Sequence, residues 1–314
     1  GRYAEATERL RALITFAGEQ LGAHHRMTLT ARHNLASTLQ SAGELEAALA
    51  EGEATLALRR EVLGDRHPDT LHSLNHIAAV NHRLGRSELA EQQMRELIER
   101  RSEVIGHTHP STLISRRNLA ILLIQTGRKE AALEMLQTIY RDSVESIGEV
   151  APQTLSLTQI MAFVYSDLDR DEEAFKLLRH TVDVQIAAGG PSEPQLLLPR
   201  NDLGMTLLDL GRVDAAVSEF EALLGWAEPM LDDDDITLAI FRSNYGESLL
   251  QAKRWQMART QLERAREVFL AKAGATHPRS VQASERLVRA LRGLGEVAAA
   301  ERIAAELASS EQPG

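Results

Sequence analysis

His72 and His76 stand four residues apart. That is one helical turn, the spacing at which two imidazoles on one face can share a zinc ion. His33 and His82 are the candidates to join them. The set stops short of a metal centre, because there is no His-Glu-x-x-His run and no acidic third ligand is evident. These histidines are read as polar groups of a binding surface, with no metal. A zinc titration that leaves the melting temperature unchanged would agree. Asp232-Asp233-Asp234-Asp235 is a dense acidic run without the Gly and terminal Glu of a calcium loop. It is read as a solvated loop leading into a helix, where carboxylates are favoured; the alternative is a site for a cation or a basic partner. Gly189-Gly190 is followed by no Lys-Ser or Lys-Thr, so it is no phosphate loop. Ser, His and Asp are scattered in no defensible triad. The chain has no cysteine, which removes disulfides and thiol catalysis together. No catalytic residue and no cofactor is assigned.

Such side chains need elements to position them. Aromatic residues are only 4% of the chain, while Ala, Leu, Glu and Arg dominate, which favours helix over sheet. The formal net charge of −10 argues against general nucleic-acid binding, which needs a basic face. No apolar run approaches the roughly 18–20 residues of a membrane span, and no secretory signal is evident, so a cytoplasmic location is expected.

A period of 42 residues organises the chain. Ala6, Ala48, Ala90, Ala132, Ala174, Ala216, Ala258 and Ala300 are all alanine. Five residues before each lies Gly1, Gly43, Gly85, Gly127, Asp169, Gly211, Lys253 or Gly295. A third column reads Gly22, Gly64, Gly106, Gly148, Gly190, Asp232 and Gly274, with no insertion or deletion anywhere. Each unit reads as a helical hairpin. His67-Pro68-Asp69-Thr70-Leu71 opens a first helix, with Pro where its missing N–H costs nothing. Gly85-Arg86-Ser87 makes the turn, since Gly tolerates the left-handed conformation that ends a helix. A second helix is predicted from about Glu88 to Ile105, and Gly106 closes it. The alanine column lets the two helices approach closely. Beside the apolar column through Leu35, Ile77 and Leu119 runs a small one: Ala36, Ala78, Ala120, Ala162, Gly204, Gly246 and Val288. Hairpins of this kind cannot bury their faces alone and stack into a solenoid.

These columns resemble the tetratricopeptide repeat, with its small residue in helix A, its Gly turn and its early Ala in helix B. His67-Pro68-Asp69-Thr70-Leu71 and His109-Pro110-Ser111-Thr112-Leu113 are similar to the kinesin light chain variety. So is Asn118-Leu119-Ala120 with Gly127 through Ala132. The resemblance implies an all-α, right-handed superhelical α-solenoid of stacked antiparallel hairpins. One repeat domain over 1–314 is expected, with units near 1–22, 23–64, 65–106, 107–148, 149–190, 191–232, 233–274 and 275–308, and a frayed tail over 309–314. Glu193-Pro194-Gln195-Leu196 and Asp234-Asp235-Ile236-Thr237 depart from the motif, and those units are expected to be tilted or locally irregular.

In the family, first helices line a concave groove and protein partners bind there. Carried over, that groove comprises His33, Asn34, Ser37, His72, Asn75, His76, Arg83, Arg117, Asn118, Ile121, Phe163, Asn201, Met205 and Asn244. Asn34, Asn118 and Asn244 match the column that holds a guest backbone, since an amide both donates and accepts. Arg83 and Arg117 could pair with a ligand carboxylate. Ile114, Ile121, Ile160, Phe163 and Met205 form an apolar stretch with no evident core role, the signature of an interaction site. The alternative is a solvated inner face whose apolar part is buried by twisting. Removing Arg117 and Asn118 together is expected to weaken partner binding without unfolding the array.

Gly1 through Ala6 match a turn and the start of a second helix, so a piece of a longer protein is expected. Three functions compete: a scaffold gripping an extended peptide, a regulatory domain of a larger bacterial signalling protein such as a serine/threonine kinase, and a self-assembly module. A monomer is favoured. The sequence names no partner.

Overall fold

In the computed structural model, residues 2–189 and 194–310 are described, and those residues are helices joined by short turns. The helices are α1 (Arg2–Leu21), α2 (Arg26–Ala42), α3 (Leu45–Leu63), α4 (Pro68–Arg83), α5 (Ser87–Ile105), α6 (Pro110–Gln125), α7 (Lys129–Ile147), α8 (Pro152–Asp167), α9 (Asp171–Gly189), α10 (Leu197–Asp209), α11 (Val213–Ala227), α12 (Ile236–Gln251), α13 (Trp255–Ala273), α14 (Pro278–Gly293) and α15 (Val297–Ser310). The second helix predicted from about Glu88 to Ile105 is α5. Gly1, Gly190, residues 191–193 and residues 311–314 lie outside the described residues, and with them one glycine each of the second and third columns and most of the predicted tail.

The chain forms two compact units, residues 1–148 and residues 149–314. Each is a stack of antiparallel hairpins. In the first, α2 pairs with α3, α4 with α5 and α6 with α7. In the second, α8 pairs with α9, α10 with α11, α12 with α13 and α14 with α15. First helices of successive hairpins also meet, α2 with α4 and α10 with both α8 and α12.

Each column has its place in this packing. From Ala48 to Ala300 the alanines are fully buried, where one more methylene would push the helices apart. At the turns Gly43, Gly85, Gly127, Gly211 and Gly295 take φ between 69° and 87°. The two substitutes, Asp169 and Lys253, are held at φ 57°, a conformation that side chains with a Cβ rarely adopt.

The small column of the first helix and the residue 16 positions later in the second helix are complementary. Gly204 faces Phe220 and Gly246 faces Leu262; an added Cβ would lie 2.7 Å and 2.5 Å from them. Where the first helix has Ala120 or Ala162, the second has Leu136 or Leu178. Where it has Val288, the second has Ala304. A smaller residue is thus matched by a larger one in each of these pairs, as close packing favours, whereas Ala36 is matched by Gly52.

Helix starts follow one further column. His25, His67, His109 and His277 each accept, through Nδ1, the backbone N–H two residues on, at 3.1–3.2 Å. Asp235 does the same for Thr237, while Ala151 makes no side-chain cap. The irregularity expected at the fifth unit appears as a 3-10 turn over Pro194–Leu196 before a shortened α10. At Asp234-Asp235-Ile236-Thr237 it does not appear: α12 is regular because the Asp235 carboxylate caps it as the imidazoles cap the others.

Candidate protein-binding groove

In the first unit α2 presents His33, Asn34 and Ser37, and α4 presents His72, Asn75 and His76. His33, Ser37, His72, Asn75 and His76 line one cavity of about 400 Å³, together with Gln40, Ala79, Arg101 from α5 and Ser111 and Ile114 from the start of α6. Asn34 is exposed on the same helix. The His33 and His76 rings meet edge to face, 5.6 Å apart. Room for them comes from Gly52 of α3, where a Cβ would lie 3.3 Å from His76 Nδ1 and 3.2 Å from Ile77. Other hairpins carry Met94, Leu136 or Leu178 at that position.

Desolvation favours the neutral form of all three rings, although only His76 is buried and His72 is exposed. His33 is pushed down to about 4, first by desolvation and then by the fields of Arg59, His76 and His72, with Asp69 opposing. His72 is lowered by desolvation and then by Arg101. His76 is lowered by desolvation; the Ala36 carbonyl favours its charged form, though it lies outside hydrogen-bond geometry.

Two guanidiniums stand beneath. Arg59 of α3 is only 3% exposed and donates to the Asp69 carbonyl at 2.7 Å and the Ser73 hydroxyl at 2.9 Å. Arg101 of α5, 7% exposed, donates to the Ser111 carbonyl at 3.1 Å and the Ser115 hydroxyl at 2.5 Å. The sequence reading missed both. A signal was there: the Arg and its Ser lie 14 residues apart in two successive units, and the next unit has Ser143 with Leu157 at those positions.

Other predicted groove residues are placed differently. His76, counted as open, is 7% exposed. It faces inward because Gly52 leaves a gap that a neutral ring can fill. Arg83, assigned to a ligand carboxylate, donates to the Gln40 carbonyl at 2.6 Å and so serves the C-terminal end of α2. Arg117, Asn118 and Ile121 are half-buried on α6.

In the second unit Phe163 of α8 is 61% exposed, and Met205 of α10 is half-buried. Asn201, also predicted to be open, is buried: it accepts from Asn244 Nδ2 at 2.9 Å and donates to Asp202 at 3.2 Å. These amides hold neighbouring first helices together, a use that side-chain type alone cannot separate from holding a guest. Desolvation raises Asp202, while bonds from Asn201 and Gln159 work against it. Of the apolar stretch drawn from the sequence, Ile114 and Ile121 belong to the first unit and Ile160, Phe163 and Met205 to the second.

The acidic run has more definite work than a solvated loop. Asp233 pairs at 2.6 Å with Arg242, which is nearly fully buried, Asp234 pairs with Lys272 at 2.7 Å, and Asp235 caps α12. Among the described residues no three His, Asp or Glu side chains are placed to hold a metal ion. No helix among them is long and apolar enough to cross a membrane.

Models of the tetratricopeptide repeat match residues 28–103 and 74–141, residues 200–229 and residues 240–314. The chain belongs to the tetratricopeptide-repeat family. Repeats of this family are in general protein-interaction scaffolds. Solved structures agree in fold. BtubC (BKLC) from P. vanneervenii is 22% identical with a TM-score of 0.61, over 74% of this chain and 94% of that one. A Podosopora anserina protein of nearly identical kinesin light chain TPR-like repeats is also 22% identical, with a TM-score of 0.57 over 64% and 95%. The apo quorum sensor NprR from B. thuringiensis, 14% identical, has a TM-score of 0.57 over 98% of this tetratricopeptide-repeat chain and 84% of its own. No curated protein matches the chain.

Proposed function

We propose that this tetratricopeptide-repeat protein grips an extended segment of a partner protein along the first-helix face of residues 1–148. The observation that carries the reading is the cavity between α2 and α4, where five of the fourteen groove residues converge. Eight of its ten lining residues are polar, and the two ring nitrogens of His76 are buried without a hydrogen-bond partner. A buried polar group costs free energy until something pairs with it. A peptide supplies a carbonyl and an N–H at every residue, and the amides of Asn34 and Asn75 can meet both.

An array of random-sequence peptides tests this with the full chain. Asn34→Ala with Asn118→Ala is the informative variant, because Asn34 is exposed and Asn118 half-buried. Arg117 suits the test less well, since its Nε is buried without a partner and removing it would change stability as well as binding. Each lost amide contact is worth about 1 kcal/mol, so binding falls about tenfold or more while the urea midpoint stays in place. Unchanged peptide binding in this variant places the site elsewhere.

A further inference from the structure

Arg59 and Arg101 are anomalous among the buried arginines. Arg200 is paired with Glu219, Arg242 with Asp233 and Glu228, and Arg286 with Glu247. Arg59 and Arg101 meet only carbonyl and hydroxyl oxygens. The Arg59 Nε is buried with no partner at all. In Arg101 one nitrogen, Nη1, makes both bonds, which leaves the other N–H groups of a cavity-lining guanidinium without a protein acceptor. A buried charge without a counterion is costly. Arg101 lines the cavity with no opposing charge beside it, and Arg59, eased by the field of Asp69, adds its own charge nearby; in a chain of net charge −10 this basic cluster suits an anion.

The cavity supplies the remaining features. The imidazoles of His33 and His72 can donate from its wall, and the Ser37 and Ser111 side chains stand beside them. The charged and titratable groups whose fields reach these rings are Arg59 from α3, Arg101 from α5, His33 from α2, and Asp69, His72 and His76 from α4. Asp69 is the one carboxylate whose field reaches His33 and His72. It is itself turned toward Arg26 at 4.0 Å and His67 at 3.9 Å. Ile114 and Ala79 give an apolar flank for a short methylene stem.

We propose that this cavity receives an acidic side chain, Glu or Asp, of the guest polypeptide. The inference rests on the groove reading and makes it specific: the partner is an acidic segment. A proton consequence follows. Unoccupied, the cavity holds its histidines neutral. A carboxylate within about 4–6 Å favours the charged ring and raises it by roughly 1–3 units. Binding therefore takes up a proton, and affinity rises as pH falls toward the raised value.

The test uses the full chain with fluorescein-labelled hexaglutamate and hexaglutamine, read by fluorescence anisotropy at about pH 7.5 and about pH 5.5, on either side of the ordinary histidine value. Hexaglutamate should bind and hexaglutamine should not, with affinity several-fold higher at the lower pH. His33→Gln with His72→Gln should leave the fold intact by circular dichroism and abolish the pH dependence. Hexaglutamate binding no better than hexaglutamine, or a pH dependence that survives in the double variant, overturns the inference. If array peptides still bind in an Asn34- and Asn118-dependent way, the acidic preference alone has failed. If no array peptide binds either, the groove reading has failed with it.

Discussion

Gly204→Ala adds a single methyl group to a helix, where Ala is ordinarily the better residue by roughly 0.5–1 kcal/mol. The structure reverses that expectation. The new Cβ would lie 2.7 Å from Phe220 Cζ and 2.8 Å from Cε2. Phe220 cannot withdraw easily: it is fully buried and its ring stands 6.4 Å from that of Tyr245, also buried. Overpacking of this kind costs about 1–3 kcal/mol, so Gly204→Ala should be destabilised by a net ~0.5–2 kcal/mol. Phe220→Leu relieves the contact and reproduces the Ala120–Leu136 and Ala162–Leu178 pairings already in the chain. Alone it should destabilise by about 1 kcal/mol or more through the void it leaves. Together the two changes should lie well above the sum of the singles, with a coupling of about 0.5–3 kcal/mol. Urea unfolding of the four proteins, followed by circular dichroism with slopes compared, measures this. A Gly204→Ala protein as stable as the parent, or a double variant that merely adds the two losses, would show that the volume pairing is coincidental.

Lys253→Gly should raise stability by up to about 1 kcal/mol, since Lys253 holds φ 57° where its sister turns have glycine; a lower urea midpoint would refute this. Ala151→Asp should add roughly 0.5–1 kcal/mol by supplying the cap that His67 and Asp235 provide elsewhere, and the thermal midpoint reads the gain. His33 sits at about 4 in the folded chain, below its ordinary value, so the unfolded chain binds the extra proton first. Stability is therefore complete above about pH 6.5 and declines as pH falls toward 4, by up to about 3 kcal/mol. His33→Gln should flatten that decline, and a denaturation series across the window that runs parallel to the parent's would count against it.

Much of the site was hidden at sequence level for one reason. Asn244 looked like a group that holds a guest, and it holds Asn201; Arg83 looked free, and it serves the Gln40 carbonyl. Donor and acceptor chemistry is the same whether the partner is a ligand or a neighbouring helix. Only distance tells them apart. The capping role of His25, His67, His109 and His277 was open to discovery, because the column repeats with the period and stands one residue before a helix start. The cap uses the Nδ1 lone pair of the imidazole, a property that the His-Pro motif carries but does not display.

The sequence by itself determined the hairpins, their turns and their spacing. A column of alanines, glycines at positive φ and helix-opening prolines act within one unit, and a strict 42-residue period repeats each local rule along the chain. Tertiary structure decided which polar side chains remain available. His33, His72 and His76 gather over Arg59 and Arg101 because Gly52 leaves space in one hairpin for a ring from the next. Contacts across hairpins join residues tens of positions apart, and the field and burial at such a point depend on every helix that meets there.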